Sequence, residues 1–377
     1  MQPAPAWGRD PWVLVVDGAV PAPDRDSGSV RLHNLMRALV SAGYRVAFVP
    51  DEGGTGSANA DQLRASGIHV PRLRGSRDTA AWVRRHRRSL SSAILCRHHT
   101  AGHWLAFVRA LAPQATIVFD TVDLHFLREG REAELHDERR LRRRAESTRR
   151  RELGLVDQAD TTWVVSSIER DLLLESRPAA DIRIVSNIIE EDTPGLPFEQ
   201  RRDLLFVGGL RHPPNHDAVE WLARDIYPLI REALPGVQLH LVGSPGTTPT
   251  TAASTDPDIR VHGHVPDIAP YLDGCRLALA PLRFGAGVKG KVNLSLAHGQ
   301  PVVATDCAVE GMHLRHGTEV LVASDAAAFA AEVVRLYGDS GLWQRLSANG
   351  RANVRRHFSP AVALEVASAT LGPPRDA

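Results

Sequence analysis

The chain has 377 residues, of which 43% are hydrophobic and 24% are charged. This composition is typical of a soluble globular protein, and the length predicts two domains of ordinary size. The formal net charge of +1 gives no electrostatic argument for nucleic-acid binding. Three widely spaced cysteines, Cys96, Cys275 and Cys307, form neither a disulfide framework nor a metal cluster, which favours a reducing compartment. No signal peptide and no apolar run of about 20 residues is visible, so we expect a cytoplasmic protein.

The chain opens with a strand, a polar loop, a helix and a second strand. Residues 12–17 form a continuous apolar run, which is the pattern of a strand buried in a parallel sheet. Apolar residues then recur at helical spacing from Leu32 to Val40, and residues 45–50 form the next apolar run. This order predicts a doubly wound α/β domain, in which ligands bind at the carboxyl ends of the strands.

The polar loop between the first strand and the first helix contains Asp24, Ser27 and Gly28. Because it follows a strand directly, it is expected at the ligand-binding edge of the sheet. One interpretation is that these residues line a cleft. The other is that Ser27 or Ser29 only caps the helix.

Two polar residues follow the apolar run Thr116–Asp120. Asp123 and His125 lie just beyond the end of this predicted strand, where they could bind or polarise a hydroxyl group of a ligand. The alternative is a histidine that is satisfied by the local backbone alone.

Residues 128–153 are predicted to form one long, highly charged helix. Its segment Arg139–Arg151 contains eight arginines, and Glu134, Glu138, Glu146 and Glu152 are interleaved along the helix, a pattern typical of a solvated helix whose charges pair with one another. A second interpretation is a basic surface that meets an anionic lipid or an anionic acceptor. Nucleic acid is disfavoured, since no aromatic stacking platform accompanies the arginines.

Four segments are predicted from the alternation of elements. Residues 1–188 form a first domain, and residues 189–202, which contain two prolines and a glycine, form a linker. Residues 203–354 form a second domain of the same class, and residues 355–377 form a final helical segment.

The most informative stretch is Pro281–Asn293, which is predicted to be a strand end, a glycine-rich loop and the start of a helix. Glycines let backbone N–H groups approach a ligand, and a helix N-terminus carries partial positive charge, so both suit a bound phosphate. Lys289 and Lys291 enter on the same turn. The alternative is an ordinary turn with two solvated lysines, because a glycine-rich loop alone is a weak signal.

The loop and its neighbours resemble the donor-site segment of group 1 glycosyltransferases (glycosyltransferase family 4, GT-B fold). The resemblance runs in order through residues 204–209, 213–218, 239–243, 261–265 and 281–312, which is nearly the whole second half of the chain. It implies two Rossmann-like domains that face a cleft, with a C-terminal helix that crosses back to the first domain. It also implies retaining transfer of a sugar from a nucleoside-diphosphate sugar to a hydroxyl acceptor, with no divalent metal and no other cofactor.

The resemblance assigns residues to both sides of this cleft. Catalytic roles fall on His125, Asp123, Lys289 and Lys291, with the lysines stabilising the leaving diphosphate, and Asp24, Ser27 and Gly28 fall on the acceptor side. Donor binding falls on Gly208, Gly209, Arg211, Gly243, His264, Val265, Gly285, Gly287, Val288 and Glu310. Many family members use lipid-linked acceptors. The resemblance therefore allows a contact between Arg139–Arg151 and an anionic inner membrane face.

The chain departs from the family pattern at two glutamate positions of the donor loop. These positions hold Ala286 and Leu294, which cannot accept a hydrogen bond from a sugar or ribose hydroxyl. The positions of two basic residues hold Gly209 and Asn215. Two alternatives therefore stand beside the enzyme: a catalytically degraded partner subunit of another transferase, and a nucleotide-sugar epimerase, for which paired catalytic carboxylates cannot be placed. A polysaccharide, a lipid-linked glycan and a small-molecule glycoside remain open as acceptors.

Overall fold

The structure is a computed structural model, and it describes residues 11–190, 194–246 and 256–374. These residues form two six-stranded parallel sheets with helices on both faces. The predicted doubly wound α/β class is thereby confirmed.

The first sheet is built mainly from buried apolar runs, of which strands β1 and β4 are the clearest. Its strand order is β2-β1-β3-β4-β5-β6, and all pairs are parallel. Its strands are β1 Trp12–Asp17, β2 Arg45–Pro50, β3 Leu90–Cys96, β4 Thr116–Asp120, β5 Thr161–Val164 and β6 Ile182–Ile184.

Seven α-helices cover this sheet. They are α1 Ser27–Ser41, α2 Ala58–Ala65, α3 Ser76–His86, α4 His98–Leu111, α5 His125–His136, α6 Arg139–Val156 and α7 Ser167–Ser176, with a 3-10 turn at Arg87–Ser89.

The prediction of one helix over residues 128–153 is wrong. Helix α5 ends at Asp137, whose φ of 52° is left-handed, and α6 begins two residues later and packs against α5. The physical reason is that a residue in the left-handed region ends a helix, and aspartate tolerates that region better than most residues.

The second sheet has the strand order β12-β11-β10-β7-β8-β9, again all parallel. Its strands are β7 Arg202–Val207, β8 Leu239–Val242, β9 Ile259–Gly263, β10 Cys275–Ala280, β11 Val302–Ala304 and β12 Leu321–Val322. Its helices are α8 Pro213–Trp221, which continues through a π-turn at Leu222–Ile226 into α9 Tyr227–Ala233, then α10 Ala269–Gly274, α11 Gly290–Ala297, α12 Asp306–Val309, α13 Ala326–Gly338 and α14 Ser340–His357.

The last helix, α15 (Pro360–Leu371), leaves the second domain and packs on the first. Ala363 and Ala367 are buried in the same core as helix α1. The indole of Trp163 donates a hydrogen bond to the Thr370 hydroxyl at 3.2 Å. Residues 191–193 of the predicted linker lie outside the described residues. Within the described ranges, no helix is long and apolar enough to cross a membrane.

Candidate functional site

The glycine loop after strand β10 has the backbone that its sequence predicts. Gly285 and Gly287 have φ values of 157° and 70°, and helix α11 begins directly after Lys289. A Cβ on Gly287 would lie 3.1 Å from the Cβ of Asp123, so glycine is what lets this loop approach the first domain. Val288 is buried, and its carbonyl accepts a hydrogen bond from Asn187 at 3.2 Å.

A second glycine turn lies beside this loop, at the ends of strands β7 and β8. A Cβ on Gly243 would overlap the carbonyl of Gly208, and a Cβ on Gly208 would lie 2.8 Å from the Lys291 ammonium nitrogen. Glycine is therefore required where the two strand ends meet Lys291. Gly209 continues the turn, and Arg211 is exposed on it.

Both lysines are held at the cleft edge rather than extended into solvent. Lys289 Nζ donates to the carbonyls of Ala286 and Gly287 at 3.0 and 2.6 Å. Lys291 Nζ donates to Asn215 Oδ1 at 2.6 Å and lies 4.4 Å from the centre of the Phe206 ring. Burial lowers the pKa of both amines, and for Lys291 burial together with the charge of Lys289 lowers it to about 7. An anion placed between them would restore the charged form of both.

Lys289 and Lys291 are also the only lysines in a chain with 45 Lys and Arg residues. A lysine ammonium is a compact point charge whose pKa shifts readily, whereas a guanidinium is larger, planar and always charged. The only two amine side chains of this protein thus lie on one turn at the cleft. The number of lysines is visible in the sequence, and together with their spacing it indicates a functional site more strongly than the glycine motif alone.

The first domain faces this loop with His125, the first residue of helix α5. The buried carboxylate of Glu152 accepts hydrogen bonds from the backbone N–H groups of His125 and Phe126 at 3.1 and 2.9 Å. His125 Nδ1 lies 3.4 Å from Asp123 Oδ1 and 3.6 Å from Glu152 Oε1. Burial lowers the pKa of His125, but these two carboxylates outweigh it, so the net pKa is raised. The two carboxylates therefore favour the protonated form of this imidazole.

Two buried glutamates fix the segment that carries Asp123 and His125. Burial opposes ionisation of Glu152, but the neighbouring imidazoles of His125 and His98 and the backbone N–H groups lower its pKa to about 2. Glu169 accepts from the N–H groups of Leu124 and Val165 at 3.1 and 3.2 Å, and burial raises its pKa to about 7. Neither glutamate is near this segment in the sequence, so sequence reasoning missed both.

Helix α5 also carries two arginines on the side that faces the cleft. Arg128 pairs with Asp123, and Arg131 donates to the Gly285 carbonyl at 2.8 Å. Arg131 also pairs with Glu310, with a shortest distance of 2.7 Å. A spacing of three residues separates His125 from Arg128 and Arg128 from Arg131. This spacing is visible in the sequence and indicates neighbouring positions on one side of a helix. The prediction of a continuous helix that starts at Arg128 concealed this spacing.

The acceptor-side loop reaches the second domain at two points. Asp24 Oδ2 lies 3.2 Å from His264 Nε2, and Ser27 contacts Gly290 so closely that a Cβ there would clash. Helix α1 is capped by Asp26, which accepts from the Ser29 N–H at 2.8 Å, so neither Ser27 nor Ser29 is the cap. Gly28 faces the side chains of Arg97 and Val122, both of which have left-handed backbone conformations.

The two positions that depart from the family pattern lie in different surroundings. Ala286 is in the loop, where its carbonyl accepts from Lys289. Leu294 is partly buried and packs, like Val207 and Val265, against a small apolar cluster of Leu205, Val242, Leu272 and Cys275. The second domain therefore offers an apolar wall where the family pattern has a carboxylate. Sequence reasoning also placed no role on His212. This residue is exposed at the start of helix α8, but desolvation of its imidazole and then the charge of Arg128 lower its pKa.

Among the described residues, one group has the spacing of a metal site. His98, His125 and Glu152 offer ligand atoms that lie within 4.8 Å of one another. His98 Nδ1 is buried without a hydrogen-bond partner and lies 3.6 Å from Glu152 Oε1. Two imidazoles and a carboxylate are ligands that zinc accepts. However, both Glu152 oxygens already accept backbone N–H groups, which favours a positioning role for this cluster.

One family model matches part of the chain. Residues 201–339, which form most of the second domain and just over a third of the chain, match the family model described as "Glycosyl transferases group 1". This match confirms the resemblance seen in the motifs of the second domain and supports the expected enzyme class.

Solved structures show that the chain has the GT-B fold over nearly its whole length. Sucrose-phosphate synthase from Thermosynechococcus elongatus aligns with a TM-score of 0.72 at 15% identity, covering 95% of this chain and 98% of that one. Anabaena HepE in complex with UDP and glucose aligns with a TM-score of 0.70 at 13% identity over the same shares. Trehalose-6-phosphate synthase OtsA aligns with a TM-score of 0.67 at 12% identity, covering 96% and 99%. At these identities the likeness concerns the fold.

One curated relative of the chain is an uncharacterized 44.6 kDa protein in the cps region of Klebsiella pneumoniae. It is 24% identical over 140 residues, which are 35% of this chain and 36% of the relative. The chain therefore spans about a third of the length of the curated relative that it matches.

Proposed function

We propose that this glycosyltransferase moves a sugar from a nucleoside-diphosphate sugar to a hydroxyl acceptor. The observation that carries the proposal is the convergence of its only two lysines with two glycine turns at the edge of the second sheet. Ammonium groups and backbone N–H groups at a helix start are the groups that bind a diphosphate. UDP is the first nucleotide to test, since a structural relative of low identity, Anabaena HepE, is described in complex with UDP-glucose.

In this proposal Lys289 and Lys291 act on the leaving group. Negative charge develops on the diphosphate as its bond to the sugar breaks, and fixed cations aimed at that charge lower the barrier. The lysines carry out this neutralisation in place of a divalent metal. His125, oriented by Asp123 and by the backbone anchor of Glu152, holds a hydroxyl of the transferred sugar. Retention of configuration is part of the proposal and rests on the family resemblance.

We place the acceptor on the first-domain side, between the loop of Asp24–Gly28 and the strand ends that hold Arg97 and Val122. Both of these side chains lie within 3.2 Å of a Cβ built on Gly28, so the surface is closely shaped. Backbone strain at non-glycine residues is a feature of ligand sites. The acceptor class, whether polysaccharide, lipid-linked glycan or small glycoside, is to be found by screening.

Contact with an anionic membrane surface is a further part of the proposal. Arg139, Arg140, Arg143, Arg150 and Arg151 of helix α6 are all exposed. At 100° per residue they project away from the buried side of the helix. Cosedimentation with phosphatidylserine vesicles, but not with phosphatidylcholine vesicles, is the expected result. Binding to neither kind of vesicle, or equal binding to both, would remove the membrane contact from the proposal and leave the enzyme proposal intact.

The test of the enzyme proposal uses the scarcity of lysine. An amine reagent such as trinitrobenzenesulfonate can modify only Lys289, Lys291 and the chain's N-terminus. We expect UDP or another nucleoside diphosphate to protect the two side chains, as measured by peptide mass spectrometry, with the N-terminal amine as internal control. Release of free nucleotide from the matching nucleotide sugar then measures turnover. Protection without turnover would support the partner subunit, and a lack of protection by any nucleotide would overturn the donor site.

A further inference from the structure

Arg131 joins the two domains across the cleft at the donor loop. Its guanidinium donates to the Gly285 carbonyl at 2.8 Å and to Glu310 Oε1 at 2.8 Å. Gly285 is in the glycine loop and Glu310 follows the short helix α12, so both partners belong to the second domain. Arg131 itself is on helix α5 of the first domain.

Among the described residues, two ion pairs connect the domains across the cleft, Arg131–Glu310 and Asp24–His264. A histidine carries charge only when it is protonated, whereas an arginine is always charged. The planar guanidinium also holds two acceptors at fixed angles, which a single amine does not. Of the two contacts, Arg131 therefore fixes geometry more firmly at neutral pH.

The same helix carries His125 at its first residue, six positions before Arg131. With a rise of about 1.5 Å per residue, the two side chains are anchored about 9 Å apart on one rigid rod. Any movement of the first domain relative to the donor loop must therefore break the contacts of Arg131 or carry His125 with it.

We infer that Arg131 is a positioning residue that completes the donor site from the opposite domain. Through Gly285 and Glu310 it sets the conformation of the glycine loop and its distance from His125. The catalytic part of this inference rests on the proposed function, whereas the structural part does not.

Cys307 provides a readout that is independent of any ligand. It lies next to this contact, 3.9 Å from a Cβ built on Gly285, and it is partly exposed, whereas Cys96 and Cys275 are buried. Burial raises the pKa of the Cys307 thiol and the charge of Arg131 lowers it, so the variants are compared by the limiting rate of the thiolate at high pH. If Arg131 keeps the cleft closed, this limiting rate of Cys307 alkylation by iodoacetamide reports on closure. We expect Arg131→Ala to raise this rate about tenfold, the factor for an interaction of ordinary strength.

Three further variants keep the test decisive. Arg335→Ala removes an exposed arginine–glutamate pair within the second domain and should leave the rate unchanged. Arg131→Lys keeps the positive charge but loses the planar guanidinium that binds two acceptors. Its alkylation rate should lie between those of the wild type and Arg131→Ala. The exchanged pair Arg131→Glu with Glu310→Arg should bring the rate back toward that of the wild type. An unchanged rate in Arg131→Ala, or an equal rise in Arg335→Ala, would overturn the inference.

The catalytic part is measured on the same variants. Arg131→Ala should lower kcat about tenfold or more while the affinity for the nucleoside diphosphate changes less than threefold, because the lysines still hold the phosphates. A wild-type protein that binds no nucleotide would remove the proposed function but leave the alkylation result valid. A wild-type protein that turns over, with kcat unaffected by Arg131→Ala, would remove the positioning role alone.

Discussion

The two edges of the cleft are built in different ways. The second-domain edge consists of glycine turns, helix-start N–H groups and two lysines, all within short stretches of sequence. The first-domain edge consists of His125 and Asp123, held by Glu152 and Glu169 from helices 27 to 45 residues away. One edge is a surface for an anion, and the other is a rigid set of paired acids and bases.

This difference shows which functional features a sequence displays. A phosphate site needs close backbone approach, so it appears as local glycine spacing. A site that orients a polar side chain needs buried long-range partners, and these leave no local pattern. Because their contacts are separate, the two edges of the cleft can be tested by separate substitutions.

The lysine edge should carry most of the nucleotide affinity. Replacing both lysines, as Lys289→Ala with Lys291→Ala, should weaken binding of the preferred nucleoside diphosphate at least about 100-fold, since each charged hydrogen bond contributes about 1.5–3 kcal/mol. Isothermal titration calorimetry measures the loss. The double replacement by arginine should restore only part of it, because Lys289 is enclosed by its own loop carbonyls. Full affinity in the alanine variant would mean that the loop does not bind the phosphates.

The acid–base edge should affect stability. Glu152 is buried and its folded-state pKa is depressed to about 2 from 4.5, so it stabilises the fold above pH 4.5, and this contribution is lost as the pH falls toward 2. Glu152→Gln should lower the free energy of unfolding at pH 7 by roughly 3 kcal/mol and should flatten its decline between pH 4.5 and 2. Urea denaturation at several pH values measures both effects. Glu146→Gln, at an exposed position, serves as the control. An equal loss in the free energy of unfolding in both variants would show that the buried contacts of Glu152 do not stabilise the fold.

The two edges should also differ in how pH affects ligand binding. The pKa of Lys291 is lowered to about 7, so above pH 7 its amine is increasingly neutral in the free protein. A bound diphosphate favours the ammonium, so binding should take up a proton, and affinity should fall by up to about tenfold per pH unit above pH 7. Calorimetry at pH 8 in buffers of different ionisation enthalpy counts the proton. Lys291→Ala should bind with no such uptake, and uptake that persists in this variant would assign the proton to another group.

The smallest expected effect concerns metals. If ammonium and backbone groups alone neutralise the diphosphate, EDTA should leave nucleotide affinity and turnover unchanged within about 20%, which is well under 1 kcal/mol. A large loss on chelation, with recovery on adding Mg²⁺ or Zn²⁺, would contradict the metal-independent donor site. Recovery with Zn²⁺ would identify His98, His125 and Glu152 as the candidate metal ligands.

Much of the architecture could be read from the sequence because it depends on local patterns. Continuous apolar runs marked the strands around residues 12–17 and 116–120, and the glycine loop marked the edge of the second sheet. The break at Asp137 could not be read, since aspartate is common within charged helices and only the packing of α5 on α6 reveals the turn. That missed break also concealed the roles of Arg128 and Arg131.

The partners of the candidate residues were beyond prediction for the same reason. The family resemblance assigns Glu310 to donor binding, and in the structure Glu310 also pairs with Arg131 of the other domain. Asp24 was expected on the acceptor side, and it also meets His264 of the donor side. Such contacts join residues far apart in the chain, and a single sequence holds no signal for them.

The most direct test of the donor site is a thermal-shift screen of the wild-type protein and the double lysine-to-alanine variant. The ligands are UDP, GDP, dTDP and ADP with their common sugar conjugates. A ligand that binds the folded state raises the melting temperature by mass action. The donor site proposed above predicts a clear rise with one nucleotide family in the wild type and none in the variant. A rise of equal size in both proteins, or no rise with any ligand, would contradict it.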